Sequence, residues 1–363
     1  MPLKVLHIAS GDRWAGAEVQ LLTLLKALKQ RDCVPSAILL NEGELADRLR
    51  NEGVSVVILS ESENGFFSLL KKIKEQLIQL RPDVVHTHRQ KENILGGLAN
   101  KLSINVPSCR TLHGAPEFNP SIKQKVQCWL DDFVGRWLQR RIVAVSDDMK
   151  QLLEKKFGKK KIATIHNGVD IELLSLESAK TLFIKNESDE FHVGIVGRIE
   201  PVKRVDLFLN IARTLLQTAK HISWKFHIVG DGSKKGEMVE LANELGLNGS
   251  VIFHGHQLAV APIIASLDVI VMCSDHEGMP MTALETIALG TGLVAHDVGG
   301  LKSFREFGGV SLVENNVVQK YCSTLTGLAE SGIPKNDFNV FRQRFSSEAM
   351  ASETMTLYRE LLA

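Results

Sequence analysis

The sequence predicts an α/β protein made of two successive doubly wound units, each a parallel sheet with helices on both faces. Short runs rich in β-branched residues alternate with helical patterns along the whole chain. A polar, acidic stretch with weak periodicity interrupts this alternation between Asn167 and Glu190. The 363 residues also exceed what one hydrophobic core usually holds. We therefore expect a first domain at 1–168, a second at 169–346 and a separate terminal helix at 347–363.

The first half alternates seven apolar runs with helical patterns. Helices are expected between the strands, for example at Ala17–Lys29 and Leu69–Leu80, where apolar residues recur at helical spacing. Continuous apolar runs are typical of strands buried on both faces of a parallel sheet. The predicted strands are Lys4–Ala9, Pro35–Leu40, Val54–Leu59, Val84–His86, Ser108–Leu112, Ile142–Ala144 and Ile162–Ile165.

The alternation restarts after the polar stretch and continues almost to the end of the chain. A final helix is expected at Ser347–Leu362, where apolar residues return at helical spacing. The six predicted strands are His192–Val196, Lys225–Val229, Val251–Phe253, Val269–Met272, Leu293–His296 and Val310–Val313.

Composition excludes several classes of protein. The formal net charge is only +1, so a nucleic-acid partner is not expected. No run approaches the ~20 apolar residues of a membrane span, and the chain enters its first strand without a signal-peptide pattern. The five cysteines show no metal or disulfide spacing and are expected to be reduced core thiols. These features favour a cytoplasmic protein.

The segment from Ser274 to Gly300, SDHEGMPMTALETIALGTGLVAHDVGG, carries two acids around a predicted helix start. Pro280 suits the entry to a helix, and Gly290 suits its left-handed cap. The free N–H groups of Met281 and Thr282 would favour a diphosphate. The carboxylates of Glu277 and Glu285 can each accept hydrogen bonds from neighbouring hydroxyls of a sugar or a ribose. Alone, each acid could equally be a solvated or helix-dipole carboxylate.

A second motif supplies positive charge. Phe191 to Asp206 reads FHVGIVGRIEPVKRVD, in which Gly197 and Arg198 end a predicted strand and Lys203 follows five residues later. An arginine and a lysine at fixed positions can neutralise a departing diphosphate, as a metal ion would. Two solvated basic side chains at a strand end are the alternative.

These two motifs resemble those of family 4 glycosyltransferases, retaining enzymes of the GT-B fold. The second resembles the family's GRxxPxKG signature, with Arg204 where glycine is common. The resemblance covers almost the whole chain. It implies two Rossmann-like domains facing a central cleft, with acceptor binding in the first domain and nucleotide-sugar binding in the second. It also implies a terminal helix that crosses back to the first domain, and an NGVD hinge at Asn167–Asp170.

The resemblance further implies roles for individual residues. Glu277 would contact the donor sugar and Glu285 the ribose, with Gly278 and Met279 in the same donor loop. Arg198 and Lys203 would stabilise the leaving diphosphate.

Weaker motifs complete the candidate site. SGDRWAGAE at 10–18 resembles the family's glycine-rich first loop and contributes Gly16, although an ordinary turn would look similar. RTLHG at 110–114 places His113 at a strand end, where a family histidine contacts the donor sugar. VGDG at 229–232 and FHG at 253–255 resemble the nucleotide-base pocket and contribute Gly230, Gly232 and His254. His86 and His88 are interpreted as cleft-lining, since no further cluster supports a metal.

An amphipathic segment from Ser121 to Arg141 has two interpretations. Its apolar stripe includes Trp129, Phe133 and Trp137, and basic residues border it. We favour a helix that packs on the first sheet. Peripheral contact with an anionic membrane surface is the alternative.

The sequence thus predicts a retaining glycosyltransferase that uses a nucleotide sugar, with a weak preference for UDP, and needs no metal. The expected acceptor is a hydroxyl of a glycan or lipid-linked glycan at the inner face of a membrane, in cell-surface polysaccharide or glycolipid synthesis. A GT-B sugar-nucleotide epimerase would use the same donor pocket and would convert the donor alone. A catalytically silent GT-B partner subunit would be free to lose Arg198, Lys203, Glu277 and Glu285, which are all present. A dehydrogenase is disfavoured because no GxGxxG turn occurs.

Overall fold

The computed structural model describes residues 2–114, 122–178, 190–335 and 337–363. The chain divides into two compact units, Met1–Gly168 with Ser347–Ala363 and Val169–Ser346.

The first unit contains a seven-stranded parallel sheet in the order β3-β2-β1-β4-β5-β6-β7. Its strands are β1 Leu3–Ala9, β2 Cys33–Leu39, β3 Ser55–Ile58, β4 Val84–His88, β5 Ser108–Leu112, β6 Arg141–Ala144 and β7 Ile162–Thr164. Its helices are α1 Gly16–Lys29, α2 Glu44–Asn51, α3 Phe66–Leu80, α4 Gln90–Lys101, α5 Ile122–Phe133, α6 Asp147–Phe157 and, at the end of the chain, α14 Ser347–Leu362. A π-turn, Val134–Leu138, extends α5.

Apolar clusters on both faces of this sheet explain its stability. On one face, β1 and β2 pack with α1, α2 and α14, where Leu24, Leu49, Met355 and Leu361 are buried. On the other face, α3 and α4 cover the same strands through Leu77, Leu95 and their neighbours. The C-terminal helix is therefore part of the core of the first unit.

The second unit contains a six-stranded parallel sheet in the order β10-β9-β8-β11-β12-β13. Its strands are β8 Glu190–Val196, β9 Ser223–Val229, β10 Val251–Gly255, β11 Val269–Met272, β12 Gly292–His296 and β13 Val310–Val313. Its helices are α7 Ile171–Ser178, α8 Val205–Thr218, α9 Lys235–Glu244, α10 Ala261–Ala265, α11 Met281–Ala288, α12 Val318–Ser331 and α13 Phe338–Phe345.

The stretch predicted to be a linker contains a helix. Ile171–Ser178 forms α7, which packs against α10 and α11 inside the second unit. Its Ile171 is buried, whereas Leu173 and Leu176 are exposed. Because its apolar residues do not share one face, the sequence showed no helical periodicity here. Residues 179–189 of the predicted linker lie outside the described residues.

Both sheets have a point at which the strand order reverses. In the first sheet β1 lies between β2 and β4, and in the second β8 lies between β9 and β11. Loops at the carboxyl ends of such strands form the usual ligand crevice of doubly wound sheets. The motifs that begin at Ser10, Gly197 and Ser274 all follow strands at these points.

Candidate functional site

The loops after β8, β9 and β10 pack backbone against backbone. Gly230 donates its N–H to the carbonyl oxygen of Gly255 over 2.8 Å. A Cβ atom on Gly230 would lie 1.8 Å from the carbonyl oxygen of Gly197, and one on Gly232 would lie 2.4 Å from that of Ile199. Only glycine permits this approach, so the predicted base-pocket glycines are needed to bring three strand ends together.

The structure brings the predicted lysine and the first predicted acid into direct contact. Lys203 ends a short 3₁₀ turn after β8, and Glu277 lies in the loop after β11. The Lys203 Nζ donates to the Glu277 Oε1 over 2.5 Å, and the Glu277 side chain is only 9% exposed. Arg198 is exposed and also follows β8, two residues after the strand ends. Two cations and a carboxylate thus occupy the switch point of the second sheet.

The backbone conformation at Arg204 explains why glycine is common at this position of the motif. Its backbone is left-handed, with φ 52° and ψ 48°, a conformation that costs a non-glycine residue roughly 1–2 kcal/mol. Its guanidinium pairs with Asp206 at 3.1 Å and with Asp275 at 3.2 Å. The arginine therefore links the β8 loop to the β11 loop while tolerating a strained backbone.

Helix α11 begins as the sequence predicts. Pro280 is its N-cap residue with φ −72°, and Gly290 follows the helix with φ 76°. Met281 and Thr282 supply the first backbone N–H groups of the helix, which have no partner within an α-helix. Met279 and Met281 are both buried and anchor this loop in the core.

The acidic loop is held by a second close backbone approach. A Cβ atom on Gly300 would lie 1.8 Å from the carbonyl oxygen of Gly278, and the Gly300 N–H donates to the Glu277 carbonyl oxygen over 3.2 Å. The loop after β12 thereby fixes the backbone that carries Glu277.

Glu285 differs electrostatically from Glu277. Its side chain is buried on α11. Burial raises the pKa of Glu285 to about 7, and the charge of Glu177 adds to the effect. A buried carboxylate without a donor is costly to keep. Hydroxyl groups of a ligand can act as such donors.

His254 is the end of a row of three histidines on adjacent strands. His192 Nδ1 lies 3.0 Å from His227 Nε2, and His227 Nδ1 lies 2.9 Å from His254 Nε2. The rings of His227 and His254 stack, with centroids 5.2 Å apart. Burial lowers the pKa of His227 to about 4 and also lowers that of His254, so both rings are neutral at physiological pH.

In the first unit, the glycine-rich loop after β1 precedes α1. Gly11 has φ 75°, whereas Gly16 is the first residue of α1 and has no left-handed backbone. Arg89, itself left-handed, pairs with Asp12 at 3.1 Å and with the buried Glu18 at 2.5 Å. This cluster of charges links the ends of β1 and β4, and sequence patterns did not reveal it.

His113 lies just beyond β5 and is half-buried. Its Nε2 is 3.2 Å from the Nδ1 of His88, and burial lowers the pKa of His113 to about 4. The prediction that His86 and His88 line a cleft is wrong, because they are 1% and 2% exposed in the core.

His7, which sequence reasoning missed, joins the two buried histidines. The ligand nitrogens of His7, His86 and His88 lie within 4.8 Å of one another. His7 is paired in register with His86 on the neighbouring strand. This matching position on two strands could have indicated that His7 belongs with His86, but it can be recognised only once the strand order is known.

The prediction that the 121–141 stripe packs into the core is also wrong for its aromatic residues. Trp129 is 64% exposed, Trp137 is 70% exposed, and Val126 and Phe133 are exposed as well. Among the described residues of this stretch, Val134, Gly135 and Gln139 are buried. Asp131 of this segment forms an ion pair with the buried Arg110 of β5. This pair attaches the segment to the sheet. Ser121 and the side chains of Ile122 and Lys123 lie outside the described residues.

The cysteine prediction is confirmed for most positions. The five thiols are free, and Cys33, Cys109, Cys273 and Cys322 are buried while Cys128 is half-buried. No helix in the described part of the chain combines the length and apolar character that crossing a bilayer requires.

Comparison with known proteins identifies both units. A family model described as Glycosyltransferase Family 4 matches residues 14–173, and one described as Glycosyl transferases group 1 matches residues 190–331. An Escherichia coli UDP-Gal:alpha-D-GlcNAc-diphosphoundecaprenol alpha-1,3-galactosyltransferase is 26% identical over 87% of this chain and 88% of its own length. The putative glycosyltransferase EpsF of Bacillus subtilis is 22% identical over 92% and 90%.

Solved structures agree on the fold. Anabaena Alr3699/HepE in complex with UDP-glucose superimposes with a TM-score of 0.84, at 19% identity, over 98% of this chain and 100% of that one. One family model matches most of the first parallel-sheet unit, and the other matches most of the second. The chain therefore belongs to the family 4 glycosyltransferases and has their GT-B fold of two Rossmann-like domains.

Proposed function

We propose that this glycosyltransferase transfers a sugar from a UDP-sugar to a hydroxyl of a lipid-linked glycan, with retention at the anomeric carbon and without a metal ion. The observation that carries the proposal is the contact between Lys203 and Glu277 at the switch point of the second sheet, where Arg198 also follows β8. The buried Glu285 lies on the adjoining helix. The E. coli relative is named for a UDP-galactose donor and a diphosphoundecaprenol-linked acceptor. HepE was solved with UDP-glucose.

Each residue has a role that follows from its charge. The bond between the anomeric carbon and the donor phosphate breaks, and Arg198, Lys203 and the N–H groups of Met281 and Thr282 stabilise the charge that gathers on the diphosphate. Glu277 accepts hydrogen bonds from the sugar, and its contact with Lys203 orients both side chains.

The nucleoside is held by a separate set of groups. Glu285 accepts from the two ribose hydroxyls, while the base lies against the backbone of Gly230 and Gly232 near His254. The acceptor oxygen bonds to the anomeric carbon on the face that the diphosphate leaves, and its proton passes to the departing phosphate. His113 contacts the transferring sugar.

The donor can be tested by thermal unfolding with UDP-, GDP- and ADP-sugars. A ligand at 100 times its dissociation constant stabilises the folded state by about 2.7 kcal/mol, so the UDP-sugar should give the largest rise in Tm. Stabilisation by a GDP- or ADP-sugar alone would assign a different base.

The reaction can be tested with the stabilising donor and a synthetic lipid-linked acceptor, with the product linkage read by NMR. Transfer that preserves the anomeric configuration of the donor supports the proposal. Inversion would overturn the retaining assignment. Conversion of the donor in the absence of acceptor would identify an epimerase, and absence of turnover with every donor would favour a silent partner subunit.

We further propose that the first unit contacts an anionic membrane through an aromatic patch, defined as Val126, Trp129, Phe133 and Trp137. Trp129 and Phe133 stack with centroids 6.0 Å apart, and all four side chains are exposed. Tryptophan suits the boundary between headgroups and acyl chains.

A lysine segment, defined as 155–161 and reading KKFGKKK, lies directly beside this patch. Arg136 donates to the carbonyl oxygen of Lys156 over 2.9 Å, and the Lys161 Nζ donates to those of Gly135 and Gln139. Lys155, Lys156, Lys159 and Lys160 are exposed. Positive charge beside exposed tryptophan is complementary to anionic lipid.

Flotation with vesicles that contain phosphatidylglycerol tests this contact. We expect binding at low salt, release by salt because the attraction is screened, and loss of binding when Trp129 and Trp137 become Ser. Phe67→Ser is the matched control, since Phe67 is 82% exposed on α3, outside the patch. Binding that persists in the double variant, or that Phe67→Ser reduces equally, would refute the patch as the contact.

A further inference from the structure

A continuous row of hydrogen bonds in the first unit connects the C-terminal helix to His113. The Tyr358 hydroxyl on α14 lies 2.6 Å from His86 Nδ1 and 3.3 Å from His7 Nε2. His7 Nδ1 lies 3.0 Å from His88 Nε2, and His88 Nδ1 lies 3.2 Å from His113 Nε2. Five side chains separated by up to 351 residues in sequence thus form one chain of contacts.

At the end opposite His113, the row continues from His86 to Thr111, which lies 2.8 Å from His86 Nε2. All six ring nitrogens of His7, His86 and His88 therefore have a hydrogen-bond partner. A metal ion bound by these three rings would have to break at least two of these bonds. The rings also stack, with interplanar angles of 19° for His7 and His88 and 18° for His86 and His88. The arrangement fits a hydrogen-bonded row better than a metal site.

Of the four histidines in the row, only His113 is partly exposed to water. Tyr358 and His7 are fully buried, and His86 and His88 are nearly so, while His113 is half-buried. Burial lowers the pKa of His7 to about 3 and keeps the other rings neutral, and it raises the pKa of Tyr358 well above its ordinary value. Each ring then has one N–H and one bare nitrogen.

Proton counting leaves two arrangements. If Tyr358 donates to His86, it accepts from the Nε2–H of His7. His7 Nδ1 is then bare and accepts from the Nε2–H of His88, whose bare Nδ1 accepts from the Nε2–H of His113. Donation by Tyr358 to His7 reverses every bond and places the proton on the Nδ1 of all four rings.

The two distances at Tyr358 select between these arrangements. Hydroxyl donors make shorter hydrogen bonds than ring or amide N–H donors, about 2.7–2.8 Å against about 2.9–3.0 Å. The shorter contact fits donation from Tyr358 to His86, and the longer one fits donation from His7 to Tyr358.

We propose that Tyr358 is a positioning residue that, through His7 and His88, holds His113 as its Nε2–H tautomer with a bare Nδ1. That nitrogen accepts a hydrogen bond from a hydroxyl of the transferring sugar, and this last step rests on the proposed function. The opposite tautomer would present a donor to the same hydroxyl. The C-terminal helix thus sets the polarity of a group in the site through three relayed hydrogen bonds.

The tautomers can be read without substrate, from long-range ¹H–¹⁵N correlations of protein labelled with ¹⁵N-histidine. His113 is assigned with a His113→Gln variant, whose spectrum lacks its signals. We expect an amine-type Nε2 and an imine-type Nδ1 for His113. An Nδ1–H tautomer, a doubly protonated ring or averaged nitrogen shifts in the wild-type protein would overturn the proposal.

The variant Tyr358→Phe tests the relay itself. We expect the His113 nitrogens to move toward averaged shifts. We also expect kcat to fall about 10- to 100-fold, the size of the effect when a hydrogen-bond partner that orients a metal-bound histidine is removed, with little change in the donor KM. Thr111→Val is the matched control, because it removes a hydroxyl that contacts His86 outside the path from Tyr358 to His113. Equal effects of the two changes, or an unchanged His113 spectrum in Tyr358→Phe, would reduce Tyr358 to a packing role.

Two further outcomes are decisive. A stoichiometric zinc or copper content of the purified protein would assign His7, His86 and His88 to a metal site and refute the relay. If Tyr358→Phe does not fold, the wild-type spectrum still decides the tautomer. Because that spectrum needs neither donor nor acceptor, it distinguishes failure of the relay from failure of the transferase assignment.

Discussion

Glu285 combines a proposed role in ribose binding with a cost to folding. Burial raises its pKa from 4.5 to about 7, so the folded state holds the proton more tightly than the unfolded state. The free energy of unfolding therefore falls as the pH rises from 4.5 to about 7. One pKa unit corresponds to about 1.36 kcal/mol, which puts the full loss on the order of 3 kcal/mol above pH 7.

Replacement Glu285→Gln should separate the two effects. We expect the variant to unfold at a higher temperature than wild type at about pH 8, with the difference disappearing toward pH 4.5, because only the wild type loses a proton in this range. Donor binding at pH 8 should weaken, because hydrogen bonds to a charged acceptor are worth about 1.5–3 kcal/mol. Thermal unfolding and calorimetric titration measure the two quantities. Unchanged donor affinity in the folded variant would show that Glu285 does not bind the ribose.

Lys203 is expected to act mainly on the transition state. Negative charge on the diphosphate grows as the bond to the sugar breaks, so Lys203→Ala should lower kcat by about 10²–10³, as loss of a charge-stabilising donor does elsewhere. Donor affinity should change less. Lys235→Ala is the control, since Lys235 also forms an ion pair, with Asp231 at 2.7 Å, but on an exposed surface. Equal losses in kcat and donor binding would instead indicate ground-state binding alone.

At the scale of elements, loop contacts between strand ends fix the site. Gly230 has φ 144°, and a Cβ atom there would meet a backbone oxygen of Gly197 at 1.8 Å, which no side-chain movement relieves. Gly230→Ala should therefore destabilise the protein by about 3 kcal/mol. Gly236→Ala in α9 is the matched control, because nothing lies within 4 Å of its Cβ position. Helix propensity predicts a gain of about 1 kcal/mol there. Denaturant unfolding compares them, and equal stability of the two variants would contradict the close approach.

The order and type of the elements could be predicted from local pattern. Ser108–Leu112, Val269–Met272 and Val310–Val313 have the predicted bounds, and the other strands differ by one or two residues at one or both ends. The failures have physical causes. An amphipathic stripe shows that a helix has an apolar face but not whether that face is buried, so the aromatic patch was misassigned. Helix α7 lacks a regular apolar face, so its packing on α10 and α11 had no sequence signature.

At the scale of the whole molecule, motifs and contacts were predictable to different degrees. The motif around Lys203 and Glu277 indicated which residues to examine, but their 2.5 Å contact joins residues 74 apart. The histidine row required the pairing of β1 with β4 and the packing of α14, neither of which short spacings encode. Predictable features thus depended on nearby residues, and the features that were missed depended on tertiary register.

We expect the complete enzyme to work without a metal ion. Within the described residues, His7, His86 and His88 form the only close group of three potential ligands, and their nitrogens are already hydrogen-bonded. Around the predicted diphosphate position the positive charges come instead from Arg198, Lys203 and the start of α11. Cationic side chains and backbone N–H groups can supply the electrostatic stabilisation that a divalent ion supplies elsewhere.

Turnover should therefore continue in excess EDTA, at the rate measured in magnesium. The assay uses the UDP-sugar and acceptor chosen above, and a magnesium-dependent glycosyltransferase run in parallel verifies that chelation is complete. Because Lys203 carries part of this charge, Lys203→Ala should stay slow whether or not magnesium is added. Loss of wild-type activity in EDTA, restored by magnesium or manganese, would show that the two cations do not suffice and that the diphosphate enters with a metal ion.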